Sequence, residues 1–302
     1  MSTFILGAMN HSSDTNEIVG FLGTTVSRRG ALGALSAVAL MTACGSDVAK
    51  TATSAAGSSD ASPQTAATTG AAATIAAAAA TTPATAGAAA SDGTCTEIPA
   101  ETGGPYPADG SNGPNILTQD GVVRSDIRTS IGSASGVAAG VPLSTTLTVV
   151  DPANGCAPLA GAAIYFWHCN IDGAYSMYSQ GVTDENYLRG VQETDANGQV
   201  TFLSIFPAAY SGRWPHIHFE VYENLAGATS GGNVLVTSQL ALPEDVCNVV
   251  FASASYESSV KNMAQTSLSS DNVFSDDEGV HQIPTMSGDV TSGYTAALTV
   301  GV

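Results

Sequence analysis

The sequence predicts an all-β fold, a β-sandwich, for residues 93–302, with a disordered leader and linker before it. Short runs of β-branched and aromatic residues recur along this part of the chain, and clusters of Gly, Asn, Asp and Pro separate them. No segment shows a sustained helical period. About 210 residues are enough to build one hydrophobic core, and two packed sheets let such strands bury their apolar faces.

The predicted strands follow one another at short intervals. They are LSTTLTVV (143–150), AAIYFWHC (162–169), QVTFLSIF (199–206), HIHFEVY (216–222), NVLVTSQLAL (233–242) and YTAALTV (294–300). The turn cluster DANGQ (195–199) lies between GVQET and VTFLSIF, which predicts a β-hairpin. A short helix is expected after Pro243, within LPEDVCNVVFAS (242–253).

Residues 1–44 resemble an export signal. In TTVSRRGALGALSAVALMTACGS (24–46), Arg28 and Arg29 precede a moderately apolar run that is too short to span a bilayer. The paired arginines resemble the bacterial twin-arginine signal, and MTAC resembles a lipobox, with Met41 where an aliphatic residue is usual. We therefore expect an exported protein of the cell envelope or extracellular space. It is lipid-anchored at Cys44 or, alternatively, has lost Cys44 with a cleaved signal.

Residues 45–92 are almost all Ala, Thr, Ser and Gly. Alanine favours helix, but the segment has no apolar periodicity, so its composition predicts a disordered linker. A linker of this kind would hold the folded domain, residues 93–302, away from the membrane.

The whole chain is strongly acidic, with 26 Asp and Glu against 8 Lys and Arg and a formal net charge of −18. A nucleic-acid-binding protein needs a basic face to neutralise phosphates, so the charge excludes that class of partner. The acidity predicts a well-solvated surface.

Once Cys44 is set aside, four cysteines remain: Cys95, Cys156, Cys169 and Cys247. An even number in an exported domain predicts two disulfides, and the sequence does not choose among the possible pairings. The alternative is that Cys169 is a buried free thiol or a metal ligand.

Two histidines share one face of a predicted strand. In HIHFEVY, His216 and His218 alternate with Ile217, Phe219 and Val221, which would face the core. Two imidazoles at such positions can converge on one ion. Alone, the pattern is equally typical of two strand histidines that face solvent.

Two tyrosines add a chemical preference to this pair of histidines. Tyr210 ends the preceding strand region, and Tyr175 follows the strand AAIYFWHC. A phenol ordinarily has a pKa near 10, so it ligates at neutral pH only when a highly charged cation removes its proton. Anionic oxygen together with imidazole suits ferric iron better than zinc, calcium or cuprous copper.

Residues 98–245 resemble an intradiol ring-cleavage dioxygenase of catechols. This family contains the catechol, hydroxyquinol and protocatechuate dioxygenases, and the chain is most similar to its exported, single-chain members. The matching segments, in the family's order and spacing, are ETGGPYP (101–107), RSDIR (124–128), IYFWHCNIDGAYS (164–176), YLRGVQETDANGQVTFLSIFP (187–207), YSGRWPHIHFEV (210–221) and TSQLALPED (237–245).

The resemblance implies a β-sandwich that holds one non-haem Fe(III) per chain. Its ligands would be Tyr175, Tyr210, His216 and His218. Tyr210 would also leave the metal to take up a substrate proton.

The resemblance also assigns residues around the implied iron. Arg213 would stabilise the carbanion-like substrate, and Gln239 would lie near the reacting carbon. Pro105 and Tyr106 would wall the substrate pocket. The chain departs from the family at Ala208 and Ala209, where Gly-Trp is common, and this change is expected to widen or reshape the pocket mouth.

The implied reaction inserts both atoms of O2 into a catechol-type diol and cleaves the ring to a muconate-type dicarboxylate. Its partners would be the diol and O2, and the membrane only through Cys44. Two rival functions remain open. One is an exported binding or adhesion module without catalysis, and the other is a copper- or zinc-binding β-protein that uses the histidines alone.

The remaining polar and aromatic residues receive simpler interpretations. Tyr178 could compete with Tyr175 as a ligand, although the GAYS match favours Tyr175. The charges of RSDIR form a structural salt-bridge set or line the pocket. Structural or surface roles are expected for His168, His281, Trp167 and Trp214.

Overall fold

The structure, a computed structural model, describes residues 95–253 and 255–302. The predicted export signal, Cys44 and the Ala/Thr/Ser-rich linker lie outside the described residues. Within these residues, two packed β-sheets confirm the predicted all-β sandwich. None of the helices in the described part has the length and apolar character needed to traverse a bilayer.

The strands are β1 (Pro142–Asp151), β2 (Ala157–Pro158), β3 (Ala163–Trp167), β4 (Arg189–Glu193), β5 (Gln199–Ile205), β6 (His216–Tyr222), β7 (Val234–Ala241), β8 (Thr285–Asp289) and β9 (Gly293–Gly301). Strands β1, β3, β5, β6, β7 and β9 lie close to the sequence-predicted runs, and β4 overlaps GVQET before the predicted hairpin turn, whereas β2 and β8 were not predicted. The helices are α1 (Leu225–Ser230), α2 (Glu244–Phe251) and α3 (Glu257–Met263).

One sheet is mixed and the other is antiparallel. In the mixed sheet the order is β2-β1-β9-β8, with β5 also paired to β1, and β1 runs parallel to β9. In the antiparallel sheet the order is β4-β3-β6-β7. The alternating inward residues of both sheets form the core between them. Phe166 of β3 and Phe202 of β5 stack across this core with ring centroids 4.6 Å apart.

The antiparallel sheet is buried on both faces. Its inner face contributes Ile217, Phe219 and Val221 to the core between the sheets, as the alternation predicted. Its outer face carries Tyr165 and Trp167, and loops that precede β1 and follow β3 cover it with a second apolar cluster. The two histidines of β6 lie on this covered outer face.

The predicted hairpin at DANGQ is wrong in its pairing. The turn itself forms, because Asp195 N donates to Gln199 O and Gly198 N donates to Asp195 O. However, β4 pairs with β3 and β5 pairs with β1, so the turn carries the chain from one sheet to the other. The turn residues determine where the chain bends. The alternation of buried and exposed residues in β5 determines the sheet that this strand joins.

The helix predicted after Pro243 is confirmed as α2. The other two helices, α1 and α3, were not predicted, because six and seven residues are too few to display a helical period. Asn224 caps α1 by accepting a hydrogen bond from Gly227 N at 2.8 Å.

The expectation of two disulfides is wrong. Cys95 and Cys156 form one disulfide, whereas Cys169 and Cys247 are free and buried. Cys169 packs in the cluster on the outer face of the antiparallel sheet, and Cys247 packs in the core on its inner face. With the sheet between them these thiols cannot be bridged, so the alternative of a buried free thiol holds for Cys169.

Candidate functional site

Strand β6 places His216 and His218 side by side beneath the covering loops. Each side chain is only 2% exposed, which excludes the interpretation of two histidines facing solvent. Their Nε2 atoms lie 3.1 Å apart. The Nδ1 of His216 lies 2.5 Å from the carbonyl oxygen of Trp214, which can only accept, so this nitrogen carries the proton and Nε2 presents its lone pair.

Tyr175 reaches the histidines from the loop that follows β3. The side chain of Asn170 shapes this loop by accepting hydrogen bonds from Asp172 N and Ala174 N. The buried hydroxyl of Tyr175 lies 3.2 Å from His218 Nε2 and 3.5 Å from His216 Nε2.

Tyr210 reaches the same point from the segment between β5 and β6. Its hydroxyl lies 3.2 Å from His216 Nε2 and 3.5 Å from the Tyr175 hydroxyl. Gly173 makes this approach possible, because a Cβ atom there would lie 2.8 Å from the Cβ of Tyr210. Its φ of +76° is also a conformation that favours glycine.

Burial keeps all four of these groups uncharged when no cation is present. Burial raises the pKa of Tyr175 well above its ordinary value and that of Tyr210 to about 12. It lowers the pKa of His216 to about 3 and that of His218 well below its ordinary value. Both imidazoles are therefore neutral at pH 7, the form that binds metals.

The phenol oxygens of Tyr175 and Tyr210 and the Nε2 atoms of His216 and His218, called the donor set below, fit a trivalent cation. Two phenol oxygens and two neutral imidazole nitrogens converge, and a 3+ ion that removes both phenol protons would leave little net charge to bury. Within the described residues, no three His, Cys, Asp or Glu side chains are grouped to hold a metal ion. A cation at this position would therefore depend on the phenols.

Arg213 borders the donor set on one side. Its Nη1 lies 3.4 Å from His216 Nε2, and its Nη2 donates to Gln239 Oε1 at 2.6 Å. The amide nitrogen of Gln239 in turn donates to the carbonyl oxygen of Thr102 at 2.7 Å. Gln239 thus connects Arg213 to the segment that leads into GGPYP.

Residues 104–106 cover the donor set on another side. The ring of Tyr106 lies 5.0 Å from the ring of Tyr175, and Tyr106 remains partly exposed. A Cβ atom at Gly104 would lie 3.4 Å from the ring of His218. Pro105 is exposed, and its carbonyl oxygen accepts a hydrogen bond from Asn112. The predicted pocket wall therefore reaches the site through Tyr106.

Tyr178 and His168 stay outside the donor set. The Tyr178 hydroxyl donates to Asn112 Oδ1 and accepts from Ala108 N, so it does not compete with Tyr175. His168 is buried, and its Nδ1 lies 2.8 Å from the carbonyl oxygen of Cys169.

The charges of RSDIR are structural. Arg124 donates to the carbonyl oxygens of Asn186 and Arg189. Arg128 and Asp126 form an exposed ion pair.

Ala208 and Ala209 are both buried, and α3 covers them: Ser259 Oγ accepts from Ala209 N, and Asn262 donates to Ala209 O.

Sequence reasoning missed one residue, Asp271, whose Oδ2 accepts from Arg213 Nε at 2.9 Å. A buried arginine needs a counter-ion, which was a signal that some carboxylate lies beside Arg213. The sequence pattern did not indicate which one, because Asp271 is 58 positions away.

Comparison with known proteins finds similar dioxygenases. A family model described as dioxygenase matches residues 113–246, which include the four donor residues, Arg213 and Gln239. The chain is 40% identical over 53 residues to a chlorocatechol 1,2-dioxygenase of Rhodococcus opacus, a match that spans 18% of this chain and 21% of that protein. It therefore spans about a fifth of the length of that curated relative.

A solved structure agrees over a much longer stretch. The intradiol ring-cleavage dioxygenase from Tetranychus urticae is 26% identical, with a TM-score of 0.54 over 68% of this chain and 94% of that chain. The sandwich, the matched residues and this structural likeness agree. The described part of this chain is similar in sequence and in fold to intradiol ring-cleavage dioxygenases.

Proposed function

We propose that this protein is a non-haem Fe(III) dioxygenase that cleaves a catechol-type diol between its two hydroxyl-bearing carbons. One observation carries the proposal. Two phenol oxygens and two imidazole nitrogens meet, each within 3.1–3.5 Å of at least two of the others. Similarity to ring-cleaving dioxygenases supports the reaction, and the donor chemistry supports the metal.

Tyr175, Tyr210, His216 and His218 would hold the iron. When bound, Fe(III) would supply a Lewis acid that ligates the diol oxygens and draws electron density from the ring. Zinc or copper held by the histidines alone would leave two buried phenols beside the ion without a role.

Tyr210 is suited to accept a proton from the diol. It is the less deeply buried of the two phenols, and its hydroxyl points at the same space as the other three donors. A diol that arrives there must lose protons, and a tyrosinate is a base within hydrogen-bonding reach. Tyr175, which is 1% exposed, is the phenol held in place by its surroundings.

Arg213 supplies a fixed positive charge where the substrate becomes anionic. Its Nη1 faces His216 Nε2, so the guanidinium borders the space that the diol oxygens would occupy. A preorganised cation in a site shielded from water stabilises developing negative charge. Gln239 would hold this cation through Nη2, and Tyr106 would cover the ring of the diol.

The reaction balances without an external reductant. The bond between the two hydroxyl-bearing carbons breaks, and each of these carbons gains one oxygen atom from O2. The diol is oxidised and O2 is reduced, and the product is a muconate-type dicarboxylic acid.

The test uses the purified full-length chain. We expect about one iron per chain and a red-brown tyrosinate-to-iron absorption band, because four protein ligands define one site. Anaerobic catechol should shift this band to longer wavelength, and air should then yield the dicarboxylate with one O2 consumed per catechol. The double variant Tyr175→Phe/Tyr210→Phe, which lacks both phenolates, should lose the colour, whereas Tyr178→Phe, the control outside the donor set, should keep it.

Two results would overturn the proposal. A protein that stays colourless after ferric loading would instead support a binding or adhesion module. Copper or zinc binding that survives Tyr175→Phe and Tyr210→Phe but not His218→Ala would support a site made by the histidines alone.

We further propose that the protein is exported and anchored at Cys44. The paired arginines Arg28 and Arg29, the lipobox-like MTAC and the linker at 45–92 support this localisation. Fractionation of a bacterial host would test it: the wild type should sediment with membranes, and Cys44→Ala should be released. A cytoplasmic wild type would contradict the proposal.

A further inference from the structure

Each of the three nitrogens of the Arg213 guanidinium has a partner. Nη1 faces the donor set, Nη2 donates to Gln239, and Nε donates to Asp271 Oδ2 at 2.9 Å. The Arg213 Cζ lies over the ring of Phe274, 5.8 Å from the ring centroid. The hydrogen bonds to Gln239 and Asp271 therefore leave Nη1 as the nitrogen that points at the donor set.

Asp271 is built to hold this position. It is fully buried and follows the short 3₁₀ turn Leu268–Ser270. Oδ2 accepts from Trp214 N as well as from Arg213, and Oδ1 accepts from Val273 N and Phe274 N. A carboxylate with four donors is fixed in orientation, so it can fix the arginine bound to it.

The ion pair also solves an electrostatic problem. Arg213 is a nearly buried cation whose side chain is 12% exposed, and it lies beside two imidazoles that would hold a trivalent cation. An uncompensated guanidinium there would repel the metal and be costly to bury. The carboxylate of Asp271 balances that charge on the side away from the donor set.

We propose that Asp271 is a positioning residue, which orients and charge-balances Arg213 so that its Nη1 faces the reacting diol. This inference rests on the proposed function. Asp271 lies outside the residues matched by the family model, 113–246, so that match does not assign it. It acts through Arg213 and is not itself a donor to the metal or the substrate.

The first test needs neither iron nor activity. In the ¹⁵N-labelled full-length chain without iron, the Nε–H resonance of Arg213 is identified by its loss in Arg213→Lys. We expect this proton to exchange slowly with water, unlike that of Arg128, whose ion pair with Asp126 is exposed. Asp271→Asn should abolish the protection, and Asp126→Asn, the matched control, should leave it unchanged.

The second test is a double-mutant cycle on kcat with catechol. Asp271→Asn should lower kcat on the order of 10- to 100-fold, the usual effect of losing a residue that orients a ligand or catalytic group. KM should change little, because Asp271 does not contact the substrate. In the Arg213→Ala background, Asp271→Asn should have no further effect on kcat, because the group it acts through is gone. Asp126→Asn should keep the wild-type kcat.

The outcomes separate this inference from the proposed function. Free exchange of the Arg213 Nε–H in the wild type overturns the inference, even if Asp271→Asn does not fold. An equal loss of kcat from Asp271→Asn with and without Arg213 also overturns it, since Asp271 would then act through the fold. If the wild type is inactive but its Arg213 Nε–H exchanges slowly, the dioxygenase proposal is contradicted, whereas the pairing of Asp271 with Arg213 still holds.

Discussion

The indole of Trp167 lies flat against the imidazole of His218, with ring centroids 4.9 Å apart and 5° between the ring planes. The two residues are register partners on β3 and β6. The Nδ1 of His218 is buried without a hydrogen-bond partner among the described residues. His216 is thus held by the Trp214 carbonyl, whereas His218 is held mainly by aromatic stacking.

Replacing Trp167 should therefore loosen one side of the proposed iron site. We expect Trp167→Leu to weaken iron binding about tenfold or more, as loss of a ligand-orienting contact usually does. Trp167→Phe, which keeps a ring to stack on, should lose much less. Competition with a ferric chelator measures both affinities, and circular dichroism confirms that each variant folds. Equal affinities for Trp167→Leu and the wild type would contradict the assignment.

Much of the fold was predictable because its signals are local. The period of two in HIHFEVY gave both the bounds of β6 and the division of its faces. The sheet to which β5 belongs was not predictable from DANGQ, since the turn looks the same whether the next strand pairs back or crosses over.

The site residues likewise include some that were predictable from the sequence and one that was not. The resemblance supplied the two tyrosines, and the structure brings their hydroxyls to the histidines. The resemblance carried no information on Asp271, because its link to Arg213 depends on long-range packing.

Acid should weaken the fold through Asp271. Burial acts to raise the pKa of this carboxyl, but the hydrogen bonds from Arg213 and Trp214 outweigh it and hold the pKa below the ordinary 3.8. As the pH falls, the unfolded chain takes up this proton first. The stabilisation is therefore complete above the ordinary pKa and is lost as the pH falls through the lowered value.

Urea unfolding of the wild type and Asp271→Asn from pH 7 to pH 3 measures this effect. The difference between their free energies of unfolding should be large at pH 7 and shrink below about pH 4. Asp126→Asn removes the exposed pair and should cost about 1 kcal/mol or less at every pH. A difference for Asp271→Asn that does not change with pH would mean that its carboxylate charge is not what stabilises the fold.

The Cys95–Cys156 disulfide fastens the start of the described chain to the mixed sheet. Ile98 N, three residues after Cys95, donates to Gly301 O of β9, and the bridge itself joins cysteines that are 61 positions apart. Removing it with Cys95→Ser/Cys156→Ser should lower the free energy of unfolding by about 2–4 kcal/mol. A reductant should lower the stability of the wild type by the same amount and leave the variant unchanged. A reductant-sensitive variant would mean that Cys169 or Cys247 also forms a bridge.

The charges around the site bear on which catechols would bind. The only guanidinium in contact with the donor set among the described residues, that of Arg213, is already balanced by Asp271. Arg124 and Arg189 are occupied by backbone carbonyls, and Lys261 is exposed on α3. Glu101 lies one residue before Thr102, whose carbonyl oxygen binds Gln239. On a chain of net charge −18, a substrate carboxylate would meet repulsion with no cation reserved for it.

We therefore predict that uncharged catechols are turned over better than carboxylated ones. Three 4-substituted catechols of similar size, carrying methyl, carboxylate or aminomethyl, test this at one pH. The kcat/KM for the carboxylate should be about tenfold or more below that for methyl at low salt, and that for aminomethyl should equal or exceed methyl. Because salt screens such repulsion, the gap should narrow at about 0.5 M NaCl. Lys261→Ala should not lower the carboxylate value. A carboxylated substrate that matches the methyl compound at every ionic strength would show that another group on the protein recognises the carboxylate.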